Sequence, residues 1–144
     1  MQIIKSTRLV MFDVDDTLVI WDWRSVDSEG KGLVTIKDPN RGCAEAVLPH
    51  YRHIELMRRF KARGHTVVVW SQGGHEWAAE VCKVLGIESI VDLVMDKPNW
   101  YVDDLHANAW MKAPIYLDPL DPKKDSRWGI SHVGDVNDQQ VKNN

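Results

Sequence analysis

The sequence predicts an α/β fold built on a central parallel sheet, and three observations predict it. Short apolar runs alternate with segments of helical period along most of the chain. The runs RLVMFDV (residues 8–14) and HTVVVWS (residues 65–71) are apolar on both faces, as strands of a covered parallel sheet are. The residues that can carry chemistry, Asp13 to Thr17, Ser71 to Gly74, Lys97 and Asp103 with Asp104, each follow the end of such a run.

The elements follow in order. RLVMFDV breaks off into carboxylates, which marks it as the central strand with a functional C-terminal end. LVIWDW and GLVTIK, separated by a polar stretch with Gly30 and Gly32, predict a hairpin at about residues 18–37. Pro49 suits a first helical position, and Tyr51, Ile54, Met57 and Phe60 recur at helical spacing until Gly64. HTVVVWS leads through Gln72-Gly73-Gly74 into a helix carrying Trp77, Val81, Val84 and Leu85, closed by Gly86. IVDLVM, WYVDD and PIYLD predict three further strands, with a brief helix near Leu105 to Met111. Residues 1–120 thus make one domain, and residues 121–144 a polar tail whose NDQQVKNN end frays.

Size and charge set limits. A chain of 144 residues buries one core of two or three layers. A net charge of −3, from 18 basic and 21 acidic residues, lacks the cationic excess of a protein that coats nucleic acid. Cys43 and Cys82 share no metal-type spacing, which predicts a reduced compartment. Without a signal-like stretch or an apolar span, the expected location is the cytoplasm, with no membrane partner.

In open α/β sheets, ligands bind beyond the carboxyl ends of the strands. One aspartate there is commonly a cap, Ser-Gln-Gly-Gly a plain turn and a lysine before proline a surface side chain. Their succession at strand ends is the signal. The ordered set FDVDDT, WSQGG, DKP and YVDD resembles the four motifs of the haloacid dehalogenase superfamily over residues 8 to 118, and is similar to short members encoded by tailed bacteriophages. The resemblance implies a Rossmann-type three-layer sandwich with a flap hairpin. It also implies a magnesium-dependent phosphatase working through an aspartyl-phosphate, in the host cytoplasm if phage-encoded.

Residue by residue, the resemblance makes Asp13 the nucleophile, a carboxylate that needs no deprotonation at neutral pH. Asp15 becomes the general acid and then base, and Thr17 a residue that orders the loop and the phosphate. Ser71, with the backbone N–H groups of Gln72 and Gly73, would hold phosphate oxygens, and Lys97 would neutralise them. Asp13, Asp15, Asp103 and Asp104 would hold Mg2+, Asp103 as the stronger direct ligand. The stretches from Thr17 to Pro49 and from Ser71 to Lys97 leave no room for a lid domain, so no cap is expected. An open site suits a phosphorylated substrate such as a nucleotide or a nucleic-acid end, or a small substrate enclosed by neighbours in a homo-oligomer.

Other residues have plainer expectations. His75 is an exposed first-turn position, and His50, His53, His65, His106 and His132 lack ligand spacing. Arg58, Arg59, Lys61 and Arg63 form a solvated face at a helix C-terminus. Trp70 and Trp77 pack the core, while Trp21 and Trp23, in the flap, either pack the hairpin or stack on a substrate ring. Two rival functions are a non-catalytic phosphate-binding or interaction module with the same fold, and a phosphorelay receiver-like domain. A receiver places its acidic pair first and its phosphorylated aspartate on the middle strand, the reverse of the order here.

Overall fold

The computed structural model describes residues 1–5 and 8–126; His132, the frayed end and the rest of the tail from residue 127 lie outside the described residues. Strand β1 (Leu9–Asp13), strand β5 (Thr66–Ser71) and strand β6 (Leu93–Asp96) form a parallel sheet in the order β1-β5-β6. Phe12 pairs with Val69 and Asp13 with Trp70, while Trp70 pairs with Met95 and Ser71 with Asp96. This register brings Asp13, Ser71 and Asp96 to one edge of the sheet, where all three strands end. The central strand is β5, and β1 is an edge among the described residues.

A second sheet precedes β5 in sequence. Strand β2 (Val19–Ile20), strand β3 (Val34–Lys37) and strand β4 (Ala44–Pro49) pair antiparallel in the order β2-β4-β3. The hairpin expected at 18–37 is therefore corrected: its two arms do not pair with each other, because β4 lies between them. The true hairpin turns at Asp38–Cys43. There the Asp38 carboxylate accepts the Asn40 N–H at 2.8 Å, and Gly42 takes a φ of +69°, open to glycine at no steric cost. Pro49 closes β4 instead of opening the helix, and its ring is tolerated because β4 ends there.

Helix α1 (Tyr51–Ala62) buries His53, Ile54, Leu56, Met57 and Phe60, a stripe at the helical period, and leaves Tyr51 exposed. Helix α2 (His75–Val84) buries Trp77, Ala78, Val81 and Cys82. Both stripes join one core with Phe12, Val67 and Val69, which share a face of the sheet, and Phe12 meets Phe60 edge to face at 6.2 Å. That both helices share this face is what right-handed crossovers stepping the same way along β1-β5-β6 would produce. On the opposite face Val68 is buried and Met11, Leu93 and Met95 are half-buried, and neither α1 nor α2 covers them, where a three-layer sandwich was expected.

WYVDD and PIYLD are not strands. Trp100 and Val102 are fully exposed, and only Ala107–Ala109 of the expected helix coils, as a single 3-10 turn. Among the described residues WYVDD meets no partner strand to complete its backbone hydrogen bonds. PIYLD instead docks on α1. His53 Nδ1–H donates to the Thr17 carbonyl (2.6 Å) and its Nε2 accepts the Leu117 N–H (2.9 Å). His50 Nδ1 accepts the His53 N–H (3.2 Å), which leaves its Nε2–H to donate to the Leu117 carbonyl (2.9 Å). The two rings stack at 3.7 Å, and Arg52 grips Asp125 through two hydrogen bonds of 2.6 and 2.8 Å. No helix among the described residues is long and apolar enough to cross a membrane.

Candidate active site

Three parallel strand ends build the site. Past Asp13, the chain folds around the Val14 carbonyl, which accepts the N–H groups of Thr17, Leu18 and Val19 at 3.1, 2.8 and 3.2 Å. Asp16 occupies the left-handed region (φ +58°), which aspartate tolerates. Its exposed carboxylate accepts the Trp21 N–H. This turn carries Thr17 back over the strand end, where its hydroxyl donates to Asp13 Oδ2 at 3.2 Å.

Ser71, at the end of β5, is buried, and its Oγ accepts the Gly73 N–H at 3.0 Å and lies 3.5 Å from Asp15 Oδ2. A Cβ on Gly73 would fall 3.3 Å from Ser71 Oγ and 3.2 Å from the Trp77 ring, a tight fit that a larger residue would meet only by shifting those neighbours. Gln72 is exposed beside it. The Lys97 N–H donates to the Ser71 carbonyl (2.9 Å), fixing the lysine just past β6. From there its ammonium crosses the Trp70 ring, 5.9 Å from the centroid, to within 3.7 Å of Asp13 Oδ1. Both charged groups are about one-third exposed, so the pair is open to solvent and to a ligand (35% and 32%).

The structure therefore brings together Asp13, Asp15, Thr17, Ser71, Gly73 and Lys97. It does not bring Asp103 and Asp104 to them. Asp103 is exposed, and its carboxylate turns to the Leu105 N–H (3.0 Å), which with further hydrogen bonds holds it below the usual carboxylate range. Among the described residues no group of three or more His, Cys, Asp or Glu side chains could hold a metal ion. The magnesium set of Asp13, Asp15, Asp103 and Asp104 is thus not assembled, and the residues as placed do not fit the ion.

Two features went unseen in the sequence. Asp96 caps α2, accepting the His75 N–H at 2.6 Å and facing its Nδ1 at 2.9 Å, and those bonds hold its carboxyl below the ordinary value. The negative charge that a helix N-terminus attracts is thereby already supplied beside Gly74. The strand-end aspartate of DKP was visible, but its spacing to His75 depends on the fold. The second is that the indole N–H groups of Trp21 and Trp77 both donate to Asp15. Trp23 takes no part; the Arg24 guanidinium lies over its ring at 4.4 Å. Compared with protein-family models, curated proteins and solved structures, the chain matches none.

Proposed function

We propose that this chain is a phosphomonoester hydrolase in which Asp13 is the nucleophile and Asp15 the acid and base. The observation that carries this reading is the convergence on Asp13 of a cation and a hydroxyl donor, with a second carboxylate one turn away on the same loop. With Oδ2 occupied by the Thr17 hydroxyl, Asp13 Oδ1 is the oxygen that attacks phosphorus, and the Lys97 ammonium beside it offsets the charge of the incoming phosphoryl group. Ser71 and the Gly73 loop border the space where phosphoryl oxygens would sit. As the ester P–O bond breaks, Asp15 gives its proton to the leaving oxygen. It then takes a proton from the water that attacks phosphorus and releases Asp13.

Magnesium, which the resemblance implies, is assigned no step, because its expected carboxylates stand apart. Between β5 and β6 the chain holds only α2, so nothing inserted there covers the site. An open mouth favours bulky esters, and nucleotides and nucleic-acid ends are the substrates we infer. A panel of phosphoesters, assayed for phosphate release at several magnesium concentrations, tests the reading. Wild type should turn over and Asp13→Asn should lose at least about a hundredfold; release unaltered in that variant would remove Asp13 from its role.

A further inference from the structure

We propose that Trp21 and Trp77 are positioning residues for Asp15: together they hold one carboxylate oxygen and so assign the proton transfer to the other. The proposal rests on the phosphohydrolase reading above. Trp21 Nε1–H donates to Asp15 Oδ1 at 2.9 Å and Trp77 Nε1–H to the same oxygen at 3.1 Å. The two rings stack, with centroids 5.9 Å apart and planes at 29°, so each indole braces the other. They come from different elements. Trp21 follows β2, its backbone N–H held by Asp16 Oδ1 at 3.2 Å, whereas Trp77 is buried in α2, in the first turns after the glycine loop.

The consequence is chemical. An oxygen that accepts two N–H donors cannot also carry a proton toward them, since donor would face donor. The acidic proton of Asp15 therefore belongs on Oδ2. That oxygen accepts the Ser71 hydroxyl at 3.5 Å when Asp15 is ionised, and because a hydroxyl, unlike an indole N–H, can turn to accept, Oδ2 can carry the proton; it also lies 3.6 Å from where a Cβ on Gly73 would be, which aims it at the phosphate loop. In the first step Asp13 forms the bond to phosphorus, the ester bond breaks, and the Oδ2 proton passes to the leaving alkoxide. In the second, water adds to phosphorus, its proton returns to Oδ2, and the Asp13–phosphorus bond breaks. A carboxylate free to rotate would spread its proton over both oxygens and lose that aim.

Trp21→Phe and Trp77→Phe keep the stacked rings and delete the N–H donors. The test compares kcat/KM for p-nitrophenyl phosphate, whose phenolate leaves without a proton, with that for glycerol phosphate, whose alkoxide needs one. Because kcat/KM reports formation of the aspartyl-phosphate, each variant should lose about tenfold or more on the alkyl ester and less than about threefold on the aryl ester. The aryl activity also shows that the variant has folded. Equal losses on both esters would overturn the positioning role and leave a structural one, as would no loss on either. If wild type turns over neither ester, the aryl and alkyl esters compared are taken from those of the panel that it does hydrolyse; wild type that hydrolyses no ester of the panel would instead overturn the phosphohydrolase reading itself, and this proposal with it.

Discussion

Acidification from pH 7.5 to about 4.5 should cost this fold about 2.5 kcal/mol at His53 alone. Burial, then the neighbouring His50, lowers the His53 pKa from 6.5 to about 4. Protonation would place an Nε2–H against the Leu117 N–H that this nitrogen accepts. The folded-state value lies below the unfolded one, so the unfolded chain binds the extra proton first as pH falls. The stabilisation is complete above about 6.5 and disappears as pH drops toward 4, at up to about 1.4 kcal/mol per pH unit for one proton. His50 and His65, both lowered by burial, act with the same sign. The carboxylates held low, such as Asp92 and Asp118, add their loss mainly below about pH 4. Urea unfolding followed by fluorescence across this range reads the slope. His53→Asn keeps a donor for the Thr17 carbonyl, strands the Leu117 N–H at a cost of about 1 to 3 kcal/mol, and removes one titrating group. Its stability should depend on pH by about one proton less than wild type; an identical slope in the two proteins would refute the reasoning.

Three more outcomes are expected. Asp103→Asn should leave the urea midpoint unchanged, because the carboxylate is exposed and serves only its own loop. Its rate of phosphate release then reads placement directly, since a loss beyond about tenfold would show that this carboxylate reaches Asp13 during turnover. Arg52→Met should destabilise by about 2 to 3 kcal/mol, because it removes two hydrogen bonds to Asp125, an 8% exposed carboxylate, and one to the Asp118 carbonyl; a change under about 0.5 kcal/mol in urea unfolding would contradict the clamp. At pH 8 an aromatic disulfide reagent should label Cys43 in the folded protein and Cys82 only in denaturant, since burial pushes the Cys82 thiol up to about 12. Rapid labelling of both thiols in buffer would show that α2 opens.

What the sequence disclosed depended on the range of the interactions involved. The strands β1, β5 and β6 and the helices α1 and α2 were legible because burial on one or both faces imposes a local period. The convergence of Asp13, Asp15, Ser71 and Lys97 was legible because parallel strands put their ends on one side. The pairing of β4 was not. Its Val47-Leu48-Pro49 reads as the approach to a helix, and only the turn at Asp38–Cys43 shows which strands meet. WYVDD alternates as a strand does, yet a strand needs a partner edge, and no local property of those five residues supplies one. His50 and His53 have ordinary helical spacing, and their value lies in Thr17 and Leu117, which the sequence keeps far from them. Trp77 was rightly placed in the core, but its N–H donor meets a partner from β1's loop only once the sheet is assembled.

The position of β1 in its sheet has an energetic consequence for exchange with solvent. Its ladder to β5 secures one side alone among the described residues, whereas β5 is paired on both. Amide protons of β5 should therefore exchange only on global unfolding, while those of β1 pointing away from β5 exchange through small local openings. Among the described residues, the strand that ends in Asp13 is in that sense a looser wall of the sheet than β5. The geometry of its carboxylate is maintained by Thr17 and Lys97, groups that arrive from the loop beyond it and from the far side of β5.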